Sequence, residues 1–158
     1  MMPYFRVLLV ISTGTLGLLV GALLIEGFVL VPYWRSLPAD AFFGMRNDFG
    51  PRLYRFFAPL TAVATSLTIV AALIATFWFP LTAPGRWPIG VTGILSLVLV
   101  GVYGLYFKSA NAAFAAGRLS PAELSGELER WARWHWIRVA AGMVALVTSL
   151  MGLAEDWR

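Results

Sequence analysis

The stretch that decides the fold is residues 5–31, FRVLLVISTGTLGLLVGALLIEGFVLV, in which only Arg6 and Glu26 are charged. About 20 apolar residues in a helix are enough to cross a hydrocarbon core of roughly 30 Å. The stretch continues into Pro32 and Trp34 without the small-residue cleavage site that ends a signal peptide. We therefore expect it to be a membrane-spanning helix of the mature protein.

Three more apolar stretches follow, at residues 56–79, 89–107 and 137–154. The second ends at Pro80, which cannot continue a helix, and a short turn separates it from the third. A turn this short joins antiparallel neighbours. Between the first two spans, residues 32–55 include four arginines and two aspartates, which predicts a polar loop.

A helix of different character precedes the last span. Ser120 at the cap, Pro121 at the first helical position and Glu123 form a capping box, which predicts a helix start. The helix over residues 121–136 is amphipathic, and we expect it to continue into the last span without a break. The sequence thus predicts a single domain over residues 1–158, an all-α integral membrane antiparallel four-helix bundle in the lipid bilayer.

The composition agrees with lipid as the solvent and excludes several kinds of site. Of the 158 residues, 59% are apolar and 13% charged, and a chain this short cannot bury so much apolar surface within itself. It has no cysteine, which excludes disulfides, thiolate metal sites and cysteine nucleophiles. Its single histidine excludes a histidine-rich metal cage or a bis-histidine haem within one protomer, and we expect neither a metal nor another cofactor.

Basic residues near the ends of the spans predict the orientation in the membrane. The side with the two longer loops holds eight of them and the opposite side three. The two sets are Arg35, Arg46, Arg52, Arg55, Lys108, Arg118, Arg130 and Arg133, and Arg6, Arg86 and Arg158. Both longer loops are therefore expected in the cytoplasm of a bacterial inner membrane. Orientation and site chemistry account for the net charge of +4, so we expect no nucleic-acid partner.

Glu26 lies inside the first span, where an ionisable group is costly and by default indicates function. At 1.5 Å per residue it lies roughly 7 Å below the end of that span. Ser12, Thr15 and Ala22 recur with Glu26 at helical spacing, so the first helix has a small and polar edge. The alternative is a glutamate at a ragged interface, or one that orients helices by pairing with an arginine.

One face of the fourth helix carries the second set of polar residues. Six residues recur there at steps of three and four, and residues at this spacing share a face. They are Trp131, His135, Arg138, Gly142, Ala145 and Ser149. An interfacial belt of tryptophans and arginines is the alternative, and it explains Trp134 and Trp136 well. It explains less well a lone histidine aligned with an arginine and a small-residue edge.

The antiparallel topology brings these polar residues to one side of the membrane. The ends of the first and third helices share that side with the starts of the second and fourth. Six polar residues belong to it: Glu26, Arg52, Arg55, Asn111, His135 and Arg138. The opposite side offers only Arg86 and the termini, so we predict one polar pocket between the helices.

Three motifs carry a resemblance to a known family. They are Glu26 followed by VPYW with Pro32 and Trp34, the helix-end Asn111, and WARWHWIRV with Trp131, His135 and Arg138. In these motifs, and in span number and loop lengths over nearly the whole chain, the sequence resembles the anthrone oxygenase-like family of small four-helix membrane proteins. Family members often carry several polar residues around the asparagine, whereas Ala112 and Ala113 follow it here.

The resemblance implies a cofactor-free oxygenase that converts the activated methylene of a phenolic tricyclic anthrone to a ketone, giving a quinone. It implies His135 as the base, since imidazole titrates near neutrality, with Glu26 orienting it or relaying the proton. Arg138 and Asn111 would stabilise the developing oxyanion. Three residues are implied to bind this hydrophobic aromatic small molecule: Trp34 and Trp131 by stacking, together with Arg55.

Two other functions stay open on the sequence alone. A non-enzymatic accessory or assembly subunit of a larger membrane complex would enclose no cavity. A transporter of a small molecule or quinone would need a channel, although no paired discontinuous helices or inverted halves support it. A pocket of a few hundred Å³ beside His135, closed to the opposite side, would favour the enzyme. The sequence leaves a homo-oligomer and a larger complex open as assemblies.

Overall fold

The computed structural model describes residues 3–155, and four long helices make up nearly all of that range. They are α1 (Pro3–Ser36), α2 (Ala39–Trp78), α3 (Arg86–Ala116) and α4 (Pro121–Glu155). Each is long and apolar enough to cross a membrane, and no strand occurs within residues 3–155. The chain is therefore an all-α integral membrane protein, as predicted. Arg158 of the charge count lies outside the described residues.

Contacts at the two ends of the bundle establish that the helices are antiparallel. At one end the ring centroids of Phe5 and Phe79 are 5.0 Å apart. At the other end those of Trp34 and Trp131 are 5.4 Å apart. Each helix packs against its neighbours in sequence, and α1 also packs against α4, which closes the bundle.

The two ends of the bundle differ in what they hold. We call the end with the turn at residues 79–85 the turn end, and the end with the connections at 37–38 and 117–120 the polar end. Pro3 and Glu155, the first and last described residues, both belong to the turn end. This is the common side that the sequence predicts for the two termini.

The half of the bundle at the turn end is solidly packed. Gly93 abuts Ala72 so closely that position 93 has no room for a Cβ atom. A Cβ on Gly152 would lie 2.6 Å from a side-chain carbon of its neighbour on α3, so this position also requires glycine. The hydroxyls of Thr13 and Ser149 are 2.7 Å apart and join α1 to α4. Small residues thus allow the close helix contacts that are typical of membrane bundles.

Residues 32–36 and 39–55 are helical, although the sequence predicted a polar loop over residues 32–55. α1 continues to Ser36, and α2 already begins at Ala39. The prediction was wrong because the arginines, aspartates and prolines were interpreted as loop residues, whereas the segment is an amphipathic helix with a buried apolar side. Phe42, for example, is buried against Phe114 of α3, with ring centroids 5.3 Å apart.

The helices are longer than a bilayer requires, and the excess lies at the polar end. α2 has 40 residues. At 1.5 Å per residue a helix of this size extends about 60 Å, against a hydrocarbon core of roughly 30 Å. Within residues 3–155, only Arg6, Arg86 and Glu155 are charged residues of the turn-end half. The polar end therefore projects from the lipid as a charged helical cap.

α1 and α3 each change to a π-helical turn in the polar half, over Glu26–Leu30 and Tyr103–Phe107. His135 of α4 contacts Glu26, and Arg138 of α4 contacts Phe107, so both turns face the same stretch of α4. Turns of this kind are rare and occur often at functional sites. They mark the level of the bundle at which a site is expected.

α4 begins at the capping box that the sequence predicts. The Ser120 N–H donates to Glu123 Oε2 at 2.8 Å, and the Glu123 N–H donates to Ser120 Oγ at 3.4 Å. The helix then runs unbroken through Gly126 to Glu155. The face that carries His135 therefore keeps its register along the whole helix.

Candidate functional site

A cleft of about 630 Å³ lies between the four helices in the polar half of the bundle. Along α2 it is lined from residue 46 to residue 65, which is about 28 Å at 1.5 Å per residue. α3 contributes residues between 99 and 115, whereas α1 and α4 contribute a few residues each. Toward the turn end the lining stops at Leu19, Thr65 and Leu99, so this cleft does not extend through the bundle.

The polar part of the cleft gathers Glu26, Arg46, Asn111 and Arg138, one residue from each helix. Glu26 is 6% exposed and is the only acid among the lining residues. Arg138 and Arg46 are the cations that act on its carboxylate electrostatically. The lining thus carries one carboxylate and two guanidinium groups, and positive charge is in excess.

His135 lies directly behind Glu26 and is fully buried. Its Nε2 is 2.9 Å from the carbonyl oxygen of Leu23. A carbonyl oxygen only accepts hydrogen bonds, so Nε2 carries a hydrogen and donates it. The other ring nitrogen, Nδ1, is 3.5 Å from Glu26 Oε2 and has no hydrogen-bond partner within residues 3–155.

The Glu26–His135 pair is therefore arranged to hold one proton. A bare Nδ1 facing a carboxylate brings two acceptors together, so a proton that the pair takes up lies on Nδ1 or on the carboxyl group. Only Glu26 reaches the cleft, since His135 does not line it. Gly27 makes the contact possible, because a Cβ at this position would lie 3.2 Å from His135 Nε2.

Asn111 accepts two hydrogen bonds on one atom. Its Oδ1 accepts from Arg46 Nη2 at 3.0 Å and from Trp131 Nε1 at 3.2 Å. The atom that two donors approach is the amide oxygen, so the NH₂ group is left as a donor for a ligand. Arg46 is held further by the rings of Trp34 and Phe114, whose centroids lie 5.7 and 5.9 Å from its Cζ.

Arg138 lies against the Phe107 ring, with its Cζ 4.5 Å from the ring centroid. It donates no hydrogen bond to any residue in the described part of the chain. A guanidinium has five N–H donors, and leaving them without acceptors away from water is costly. Oxygen atoms of water or of a ligand in the cleft would satisfy them.

Comparisons of this chain with protein-family models, with curated proteins and with solved structures find no match. We therefore infer the chemistry of the cleft from its own residues. It combines the Glu26–His135 pair with donors on Arg46, Asn111 and Arg138, between apolar walls. Such a set can remove a proton from a bound molecule and stabilise the anion that results.

Four of the seven predicted site residues line the cleft: Glu26, Asn111, Trp131 and Arg138. His135 is adjacent to them but reaches the cleft only through Glu26. The Trp131 ring is stacked on the His135 ring, with centroids 5.1 Å apart and 8° between the planes. The face of α4 that the spacing predicts thus supplies two lining residues and the histidine behind them.

Trp34 and Arg55, which were predicted to bind the substrate, do not line the cleft. Trp34 is 2% exposed and packs between Trp131 and Arg46. Arg55 lies on the exposed side of α2, where its Nε donates to the carbonyl oxygen of Pro51 at 3.3 Å. The sequence predicted a loop for both residues, and a loop does not indicate which side chains share a face. As helical residues they are turned away from the cleft.

Arg46 lines the cleft, although the sequence predicted it only as a charge of the loop between the first two spans. A signal for it exists in the spacing of α2. Tyr54, Thr61 and Thr65 share one face of α2, and all three line the cleft. Steps of four residues upstream from Tyr54 reach Gly50 and Arg46, which also line it. Recognising the segment as a helix would have placed Arg46 at the site.

Proposed function

We propose that the cleft is the active site of a membrane-embedded, cofactor-independent oxygenase of the anthrone oxygenase type. Its substrate is an activated phenolic or polycyclic molecule, which is oxidised with O₂ to a quinone. The observation that carries the proposal is the meeting of the Glu26–His135 pair with Arg138 and Asn111 at one largely apolar cleft. The volume of about 630 Å³ lies within the range of small-molecule sites.

Glu26 is the base in this proposal. The methylene carbon of an anthrone lies between two aromatic rings and opposite a carbonyl group, so loss of its proton gives an anion that spreads onto oxygen. Glu26 faces the cleft and takes this proton, which His135 Nδ1 then shares. The resemblance implied His135 as the base, but its burial behind Glu26 favours the carboxylate.

Donors on the wall of the cleft stabilise the anion. The N–H groups of Arg138 and the NH₂ group of Asn111 are available to the oxygen on which the negative charge develops. Removing one such donor from an active site typically lowers kcat by about 10²- to 10³-fold. The Trp131 indole provides a flat apolar surface on the same wall for the aromatic rings.

Oxygen then reacts with the electron-rich anion. One electron passes from the carbanion to O₂, and the resulting radical and superoxide combine to form a C–O bond. The peroxide takes up the proton that Glu26 removed. Loss of the second C–H proton with cleavage of the O–O bond gives the ketone and one water molecule. One O₂ is thus consumed for each CH₂ group that becomes C=O.

The shape of the cleft supports an enzyme over the two other functions. A solid core would favour an accessory subunit, and a channel would favour a transporter. The cleft is open to ligands in the polar half, and contacts such as Gly93 against Ala72 close the turn-end half. The proposal includes a bacterial inner membrane with the polar end in the cytoplasm, because the basic residues concentrate at that end.

Oxygen uptake by the purified protein tests the proposal. In detergent, with 1,8-dihydroxyanthrone as the probe, we expect O₂ consumption above the spontaneous rate and one quinone formed per O₂. Glu26→Gln keeps the shape of the side chain but removes the base, so the rate above background should fall at least about 100-fold. Glu129→Gln makes the same change at an exposed position on α4 and is the control.

Both variants must unfold at the temperature of the unsubstituted protein for this comparison to report on chemistry. If Glu26→Gln then oxidised the probe as fast as Glu129→Gln, Glu26 would not be the base. Uptake no faster than the spontaneous oxidation with the unsubstituted protein would contradict the oxygenase itself.

A further inference from the structure

The cleft opens sideways, through a window between α2 and α3. The two helices are joined at both ends of this window: the Thr68 and Ser96 hydroxyls are 2.6 Å apart, and Arg46 Nη2 donates to Asn111 Oδ1 at 3.0 Å. Between these bonds several residues that line the cleft are exposed, namely Tyr54 and Ala62 of α2 and Val100 and Tyr103 of α3. Tyr54 is 64% exposed. We call this gap the α2–α3 window.

The chain itself explains why the helices separate there. Between the two bonds α2 advances from residue 46 to 68, whereas α3 advances only from 96 to 111. The longer segment contains Pro51 and Pro59, and a proline inside a helix removes a backbone donor and bends the helix. The additional residues and the two prolines of α2 favour a separation of the helices between these two points of contact.

The part of the α2–α3 window that is nearer to the turn end faces lipid. Ala62 and Val100 line it, and both are exposed within long apolar stretches of their helices. These stretches are the ones whose length and composition allow a membrane crossing. A molecule dissolved in the bilayer can thus enter the cleft without passing through water.

The two ends of the cleft differ in polarity. The polar part has two guanidinium groups and one carboxylate, and Arg138 has no hydrogen-bond acceptor among residues 3–155. Toward the turn end the walls are apolar and include Leu19, Phe57 and Leu99. The lining extends about 28 Å along α2, much longer than three fused rings. A ligand with an anionic oxygen at one end and an extended apolar part fits this gradient.

We propose that the substrate is a membrane-dissolved weak acid with a hydrocarbon chain, and that it enters and leaves through the α2–α3 window. Its ionised oxygen binds Arg138 and Arg46, and its chain lies along the apolar walls toward Ala62 and Val100. This rests on the proposed function only in taking the cleft as the substrate site. It adds the chain and the route through lipid.

Photolabelling in vesicles tests this inference. The protein is reconstituted into phosphatidylcholine vesicles with a long-chain carboxylic acid that carries a diazirine in mid-chain, and labelled peptides are identified by mass spectrometry. We expect labelling of residues 61–65 and 99–100. An unlabelled acid of the same chain length should compete for this labelling, whereas the corresponding alcohol should not.

A matched pair of variants tests the window. Ala62→Trp places a large ring in the opening and should lower the labelling at least about tenfold, a change of 1.4 kcal/mol in binding. Val63→Trp makes a similar change at the next position, which is exposed but does not line the cleft, and should not alter it. Equal labelling of the two variants, or labelling spread evenly over the lipid-facing residues, would overturn the inference.

The labelling requires neither O₂ nor turnover, so it separates this inference from the oxygenase. Glu26→Gln, which should stop oxidation, should keep the labelling because it removes a negative charge from the polar part of the cleft. Labelling that depends on Ala62 without any oxidation of an anthrone would support the window and contradict the oxygenase. If oxidation depends on Glu26 but Ala62→Trp does not change the labelling, the result would contradict the window alone.

Discussion

At the scale of single residues, His135 makes two contacts that can be separated by mutation. It donates to the Leu23 carbonyl oxygen with Nε2 and faces Glu26 with Nδ1. Alanine leaves that carbonyl without its partner, and a buried unsatisfied acceptor costs about 1–3 kcal/mol. Glutamine has an NH₂ group that can donate to Leu23 but no nitrogen that takes up a proton.

We therefore expect His135→Ala to lose both stability and turnover, and His135→Gln to recover much of the stability without the turnover. Thermal unfolding in detergent and oxygen uptake with 1,8-dihydroxyanthrone measure the two effects. A His135→Gln protein with full turnover would show that Nδ1 has no part in the proton transfer.

Asn111 allows a similar separation of structure from chemistry. Asn111→Asp keeps an oxygen that accepts from Arg46 and Trp131, so we expect the fold to be retained. It removes the NH₂ donor and adds negative charge where the oxyanion forms. The kcat for the anthrone should therefore fall by about 10² or more. An unchanged kcat would mean that the substrate oxygen does not approach Asn111.

The residue-level chemistry could be predicted only in part. Glu26 and Arg138 stand out in the sequence because charges are rare in apolar spans. The pairing of His135 with Leu23 joins positions 112 residues apart, and a single sequence does not contain that register. Without it, the histidine was assigned the role of base, while the structure leaves Glu26 as the group that faces the cleft.

At the scale of elements, the contact between α1 and α4 depends on Gly27. A Cβ there would lie 3.2 Å from His135 Nε2 and 3.3 Å from Trp136, so in Gly27→Ala these side chains must shift by a few tenths of an ångström. We expect it to lower stability and to reduce turnover at least about tenfold, because it disturbs the Glu26–His135 pair.

Gly14→Ala is the control, since a Cβ at position 14 meets nothing within 4 Å. In a helix interior this change should stabilise by roughly 0.5–1 kcal/mol and leave turnover intact. Thermal unfolding and oxygen uptake check both variants. Equal behaviour of Gly27→Ala and Gly14→Ala would mean that the close approach at Gly27 is dispensable.

Apolar length predicts the four spans, because lipid imposes a simple requirement on each helix. Apolar length does not predict the helix over 39–55, because its residues belong to the charged cap at the polar end. At the polar end, the direction of each side chain around its helix decides which residues line the cleft, and hydropathy does not give that direction. Trp34 and Arg55 are polar-end residues that are turned away from the cleft. No pattern in the sequence indicates the π-helical turns at Glu26–Leu30 and Tyr103–Phe107.

For the whole molecule, the distribution of basic residues predicts one orientation in the membrane. The chain has no cysteine, so single cysteines report position without background. Ala116→Cys lies at the polar end and Thr82→Cys in the turn at the opposite end, and both positions are exposed. In intact spheroplasts a membrane-impermeant maleimide should label Thr82→Cys alone. Labelling of Ala116→Cys alone would reverse the orientation expected from the basic residues.

An absorbance titration with the stable product 1,8-dihydroxyanthraquinone measures whether the cleft binds a flat phenolic ligand. We expect saturable binding of one molecule per chain. Ala58→Trp fills the cleft and should raise the Kd at least about tenfold, whereas Val63→Trp, outside the cleft, should leave it unchanged. The same Kd for Ala58→Trp and Val63→Trp would mean that the ligand does not bind in the cleft.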